Sequence, residues 1–317
     1  MMTLWNLFDL LLATLILGLA WAAIFSASLR RSVVLFIAFG LLLAIIWARL
    51  RAPDLALAEA AIGAGLSGAL LLSALRDQTK HIQDNDLIDG PVATAITALS
   101  VVLTVVFAWI LLQTLTTADS ARLADKITEN LDSSGVSNPV TAVLLNFRAY
   151  DTLLELAVLL AAALGILALG AARPAYDTAG PLLTGLIRWL VPLLMLTAAY
   201  LLWAGAHSPG GAFQAGATLG AAAVMLRLAG QSTDEMVSAA SLRLLLGAGV
   251  AAFLVVGIAS MAFELNFLQY PEGWSAVLIL LIETGATLAI AATLALAYSG
   301  GRPAGWHLGS TDNRGRG

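Results

Sequence analysis

Three short segments set ionisable side chains into otherwise apolar sequence, where each needs a reason. A charge at mid-membrane costs roughly 2.5–3.5 kcal/mol on insertion scales. In Arg51-Ala52-Pro53-Asp54-Leu55-Ala56-Leu57-Ala58-Glu59, Pro53 and Asp54 read as a helix start, and Asp54 can cap backbone N–H groups there or serve an ion. Glu59 lies about one and a half turns further in, past any capping position, and is a functional candidate. Arg148, Asp151 and Glu155 are spaced i, i+3, i+7 and fall on one helical stripe. An Arg beside two carboxylates can keep one ionised while the other holds or passes a proton, or the three can form an ion pair that fixes packing. Glu283, in Leu280-Leu281-Ile282-Glu283-Thr284-Gly285-Ala286, has no cationic neighbour in sequence. That suits a proton carrier and equally a hydrogen bond between helices. Asp9 and Glu264 lie nearer span ends and read as solvated or interfacial.

A fourth feature is a turn. In His207-Ser208-Pro209-Gly210-Gly211-Ala212-Phe213-Gln214-Ala215-Gly216, Pro209, Gly210 and Gly211 forbid a continuous helix. A tight turn accounts for them but not for Gln214 and Gly216, which lead straight into an apolar span.

The elements that position these groups are membrane helices. The 317 residues are 60% hydrophobic and 11% charged, against roughly 25% charged in soluble domains, and the mean hydropathy is +0.89. Apolar windows and their polar breaks predict an all-α, polytopic membrane protein of about nine spans. They run near 4–28, 32–48, 55–75, 92–116, 149–171, 183–204, 211–230, 239–262 and 274–299. The N-terminal window has no basic flank and no cleavage site, so a retained span is expected. The polar stretch from Thr117 to Asn146 is the best candidate for a module boundary.

Lys and Arg set the expected orientation. One side collects Arg30, Arg31, Arg76, Lys80, Arg173, Arg188, Arg227, Arg243, Arg302, Arg314 and Arg316; the other has only Arg49, Arg51, Arg122, Lys126 and Arg148. The positive-inside rule puts the N-terminus outside and the C-terminus in the cytoplasm of a bacterial-type cell (inner) membrane. Spans three, five and nine then start on one side. Asp54, Glu59, Arg148, Asp151 and Glu155 share the outer leaflet, Glu283 lies deeper, and the patch reads as a route for a cation or proton.

Other classes are excluded or weak. No Cys is present, and His81, His207 and His307 are not at metal-ligand spacing, so neither a metal site nor a cofactor is expected. The net charge of −4 argues for no nucleic-acid partner. Gly63-Ala64-Gly65-Leu66-Ser67-Gly68 matches the dinucleotide pattern G-x-G-x-x-G, but it sits mid-helix without a preceding strand. Close helix packing is the better reading.

Taken in order, the segments resemble one family. Ala52 through Glu59, followed by Gly63 to Leu66, resembles a signature near the C-terminus of the MrpA subunit of multisubunit cation/proton antiporters. The same signature forms a separate small subunit in membrane-bound hydrogenases. Phe147-Arg148-Ala149-Tyr150-Asp151-Thr152 with Glu155 resembles the family's F-R-x-x-D-T-L-G-E segment, with Leu154 in place of the Gly. Arg188 through Gly216 and onward resembles the MrpB subunit and its x-P-G-G-x-F-Q-x-G turn. His207 is one place closer to the Pro than the family's His, so no His role is carried over. The large antiporter-like domain that precedes these segments in MrpA is not in this sequence.

The resemblance implies a module like the C-terminus of MrpA fused to MrpB, in a family related to the membrane arm of respiratory complex I. Its divisions would be a three-helix module over 1–80, a two-helix module over 81–175, a four-helix MrpB-like domain over 176–300 and a polar tail over 301–317. It also implies a non-enzymatic subunit of a Na⁺/H⁺ antiporter, with Glu59, Arg148, Asp151 and Glu155 at positions tied to ion movement. Expected partners are antiporter-like and small Mrp-type subunits, Na⁺, H⁺ and the lipid bilayer. The rivals are a membrane subunit of a hydrogenase or complex-I-like enzyme, and a structural scaffold.

Overall fold

The computed structural model describes residues 4–78, 91–117, 123–170, 180–231 and 237–301. His81, His307, Lys80, Arg122, Arg173 and the tail from 302 lie outside them, as do the expected module boundaries near 80 and 175.

The described residues form eleven helices. They are α1 (Leu4–Ile24), α2 (Leu29–Arg49), α3 (53–78), α4 (Pro91–Thr117), α5 (Leu123–Asn130), α6 (139–147), α7 (Ala149–Ala168), α8 (Pro181–Ala204), α9 (Ala212–Leu228), α10 (Ala239–Ala262) and α11 (Ser275–Ser299). Two are composite. α3 is α-helical over Pro53–Ala58, π-helical over Glu59–Leu66 and α-helical again over Ser67–Gln78; α6 passes from Pro139–Ala142 into a π-turn at Val143–Phe147. Start signals are local: Ser28 and Ser238 accept the N–H of Arg31 and Ser241, and Pro53, Pro139 and Pro181 open α3, α6 and α8.

Among the described residues, eight helices are long and apolar enough to cross a membrane. The chain is a polytopic membrane protein of the all-α class. α9, with 17 residues, is the short ninth; at 1.5 Å per residue it spans about 26 Å, less than the ~30 Å hydrocarbon core.

α11 is the axis. In it 56% of the apolar window is buried, against 33% or less in every other long span. Around α11 pack α7, α8, α9 and α10; α3 packs on α9 and touches α11 with its Ser67–Gln78 part, and α2 packs on α3. Ile279, Ile282, Ala286 and Ile290 of α11 share one core with Leu156 of α7, Phe253 of α10 and Ala212 of α9. Every described side chain of α4 is exposed.

The polar stretch before α7 is not bare chain. Val136, Ala142 and Leu145 enter the main core. Gly135 (φ +80°) crosses the start of α11 so closely that a Cβ would lie 2.6 Å from Ser275. The Tyr270 hydroxyl donates to Leu145 O at 2.6 Å, and burial pushes that hydroxyl above its usual pKa. Ser134, Asn138, Thr141 and Asn146 of this stretch spend their side chains on backbone groups.

Candidate functional site

α8 ends at Ala204 and α9 begins at Ala212, with residues 205–211 irregular between them. Irregular backbone at membrane depth survives only when protein supplies its hydrogen bonds. Here α6 and its approach supply them. Asn138 Nδ2 donates to Gly205 O (3.1 Å) and Ser208 O (3.0 Å), and Thr141 Oγ1 donates to Gly205 O (2.6 Å). The N–H groups of Ser137 and Asn138 both donate to Ala206 O. Within the break, the Gly211 N–H reaches back to Leu201 O at 2.9 Å.

Asn138 also caps α6, accepting the Val140 N–H at 3.0 Å. Asn138→Ala is therefore expected to cost about 1–3 kcal/mol, from the lost cap and the carbonyls left short of donors. Thermal unfolding of the purified protein checks it. Asn138→Asp, which keeps the cap but not the two donations, should recover only part of the loss.

Glu283 sits against this break. It lies eight residues into α11, about 12 Å along the helix, and is 2% exposed. Its carboxylate accepts the backbone N–H of Ala212, the first residue of α9. A helix N-terminus offers unpaired N–H groups and the positive end of the helix dipole, so this is a place for negative charge. Its Oε2 has no hydrogen-bond partner among the described residues. The glycines of the break give the carboxylate room: a Cβ on Gly211 would lie 2.8 Å from Oε1, and one on Gly205 would lie 3.3 Å away. Gly211 has φ +103° and ψ −170°, a conformation close to glycine-only.

Asp54 reaches the same break from α3. Its Oδ1 accepts the Gly210 N–H at 3.0 Å, and its backbone O accepts Gln214 Nε2 at 3.0 Å. Ala52, not Asp54, stands at the cap of α3, with no side-chain cap there. The capping reading of Asp54 is thus corrected in its target: it holds a backbone N–H 156 residues away, not one of its own helix. Gln214 finds its role in the same contact. Gly216 lets α9 close on α11, where a Cβ would lie 2.7 Å from the Ile290 side chain.

Glu59 opens the π-helical part of α3 and is half-buried. Its carboxylate folds over Gly63, whose Cβ would overlap it at 2.1 Å. A Cβ on Gly68 of the same motif would lie 2.7 Å from the Ile37 side chain of α2, so this glycine serves close helix packing. Arg148, Asp151 and Glu155 stand apart from the break. Arg148 pairs with Asp151, their side chains 69% and 44% exposed, and Glu155 is exposed one turn on. Arg148 stands at the non-helical junction before α7, and the Asp151 and Glu155 side chains on α7 face outward. Asp9 pairs with Arg49 at 2.8 Å, and Arg49 also lies over Trp5.

The structure thus joins Asp54, Gly205, Gly210, Gly211, Gln214 and Glu283 in one site, with Asn138 and Thr141 as its supports. Sequence reasoning passed over Gly205, Asn138 and Thr141. Asn138-Pro139 carried a signal, a capping residue followed by Pro at the first helical position.

Three known families match the chain in succession along its length. Residues 14–80 match MbhD and residues 93–182 match MbhE, both described as subunits of MBH; residues 182–296 match a domain related to the MnhB subunit of Na⁺/H⁺ antiporter. No curated protein matches the chain. Among solved structures, a chain of the Mrp complex from Dietzia sp. DQ12-45-1b is similar at 23% identity and a TM-score of 0.72, over 92% of this chain and 34% of that one. This chain therefore spans about a third of its length. A chain of the membrane-bound sulfane sulfur reductase, an archaeal respiratory membrane complex, is similar at 23% identity and a TM-score of 0.51, over 65% of this chain and 97% of that one. MbhD-, MbhE- and MnhB-type segments thus follow one another along a single multi-pass polypeptide.

Proposed function

We propose that the chain is a membrane subunit of a multisubunit Na⁺/H⁺ antiporter, where it lends buried and interfacial acids to ion or proton movement and docks antiporter-like subunits. The observation that carries this reading is Glu283, a buried carboxylate held at the N-terminus of a broken helix, with no hydrogen-bond partner for one oxygen among the described residues. Such a group can take up and release a proton without rebuilding its surroundings. Asp54 ties the break to α3, so a change at Glu283 would be felt beside Glu59. The outward group Arg148–Asp151–Glu155 is costly against lipid. It suits a face covered by a neighbouring subunit, through which charge could be handed on. The N-terminus lies outside, and no reaction is catalysed by this chain itself.

Neutralising variants test the role. Glu59→Gln or Glu155→Gln is expected to lower Na⁺-dependent proton flux in membrane vesicles while the complex still assembles. Unchanged flux in an assembled complex would remove both residues from the path.

A second reading has its own support: two of the three segments match MBH subunits, and the sulfane sulfur reductase chain is covered almost whole. In that case the chain would be the ion-handling membrane subunit of a redox complex. These residues contain no Cys and so offer no thiolate for an iron–sulfur cluster; in that case the redox centres would lie elsewhere in the complex.

A further inference from the structure

We infer that a cleft between α8 and α10 is a binding site for one acyl chain of an anionic phospholipid. The cleft is a half-open cavity of about 320 Å³, floored by α9 and α11, at the lower end of the size range of ligand pockets. Val191 and Met195 form one wall, Leu242 the other, and Ala223 lies on the floor. Along α11 the lining runs from Leu288 to Ser299. Between those ends the helix rises about 16 Å, close to half of a ~30 Å hydrocarbon core. The cleft therefore reaches from the membrane surface to its middle, the depth of one leaflet. A void of this size would forfeit packing contacts along its whole lining, and apolar walls exclude ordered water. In a bilayer the occupant at hand is a hydrocarbon chain.

The charge at the mouth selects the headgroup. Arg188 lies three residues before Val191 and seven before Met195, on the stripe of α8 that lines the cleft. Arg188 is exposed there, whereas Arg227 is buried and both Arg227 and Arg243 already interact within the chain, so Arg188 is the cation offered to a headgroup. Basic clefts between helices at the membrane surface suit acidic lipid headgroups.

Native mass spectrometry of the full chain, loaded with phosphatidylglycerol or phosphatidylcholine, tests the site. One phosphatidylglycerol should stay bound at collision energies that strip phosphatidylcholine. Ala223→Phe, which fills the floor, should weaken that binding about tenfold or more. Should that variant fail to fold, Ala295→Phe fills the cleft from α11. Arg188→Gln should erase the preference between the two lipids without abolishing binding. Equal retention of the two lipids by the native chain would overturn the proposal. So would phosphatidylglycerol retention unchanged in a folded groove-filling variant.

Discussion

Gly211→Ala is expected to damage both stability and transport. The position has φ +103° and ψ −170°, and forcing a side chain there costs about 1–3 kcal/mol in backbone strain alone. The added Cβ would also lie 2.8 Å from Glu283 Oε1, so the carboxylate must leave the N-terminus of α9 or the break must open. Either outcome separates Glu283 from the Ala212 N–H that it accepts. Thermal melting and Na⁺-dependent proton flux, measured on one preparation, check this. Gly165→Ala is the control: nothing lies within 4 Å of a Cβ there, and a mid-helix Gly→Ala change gains roughly 0.5–1 kcal/mol. A Gly211→Ala protein that melts and transports like the native one would show that the break does not depend on this conformation.

Glu283→Gln is the sharper test of chemistry. Gln keeps the shape and an oxygen for the Ala212 N–H, so the fold and assembly should survive. It cannot take up and release a proton. Flux is expected to fall about tenfold or more, equivalent to about 1.4 kcal/mol on the transport barrier. Glu283→Ala should do the same and also destabilise, because it leaves the Ala212 N–H buried with no acceptor. Native flux from an assembled Glu283→Gln complex would reduce Glu283 to a hydrogen bond that fixes α9 against α11.

Much of this architecture was legible in the residues. Hydropathy located the long spans because a bilayer demands about 20 apolar residues in a row. Pro209-Gly210-Gly211 announced a break, and Glu283 stood out as an acid without a local partner. What could not be read was which of these meet. Glu283 and Gly211 are 72 residues apart, and Asp54 lies 156 from Gly210; no local pattern encodes such contacts. Helical spacing predicted one stripe for Arg148, Asp151 and Glu155, but periodicity shows neither that the helix starts only at Ala149 nor that Asp151 and Glu155 turn outward. In the polar stretch before α7, composition could not show that the Ser134, Asn138 and Thr141 side chains are buried and hydrogen-bonded. The π-helical turns at Glu59–Leu66 and Val143–Phe147 left no sequence signal, although both adjoin the acidic segments.

The central claim is membership of a cation/proton antiporter assembly, and the most direct test is the composition of the native complex. The chain, tagged and purified from its own membrane in mild detergent, should bring down antiporter-like subunits and small Mrp-type subunits. Co-purification of nickel–iron or iron–sulfur subunits in stoichiometric amount would contradict the account and assign the chain to a redox complex.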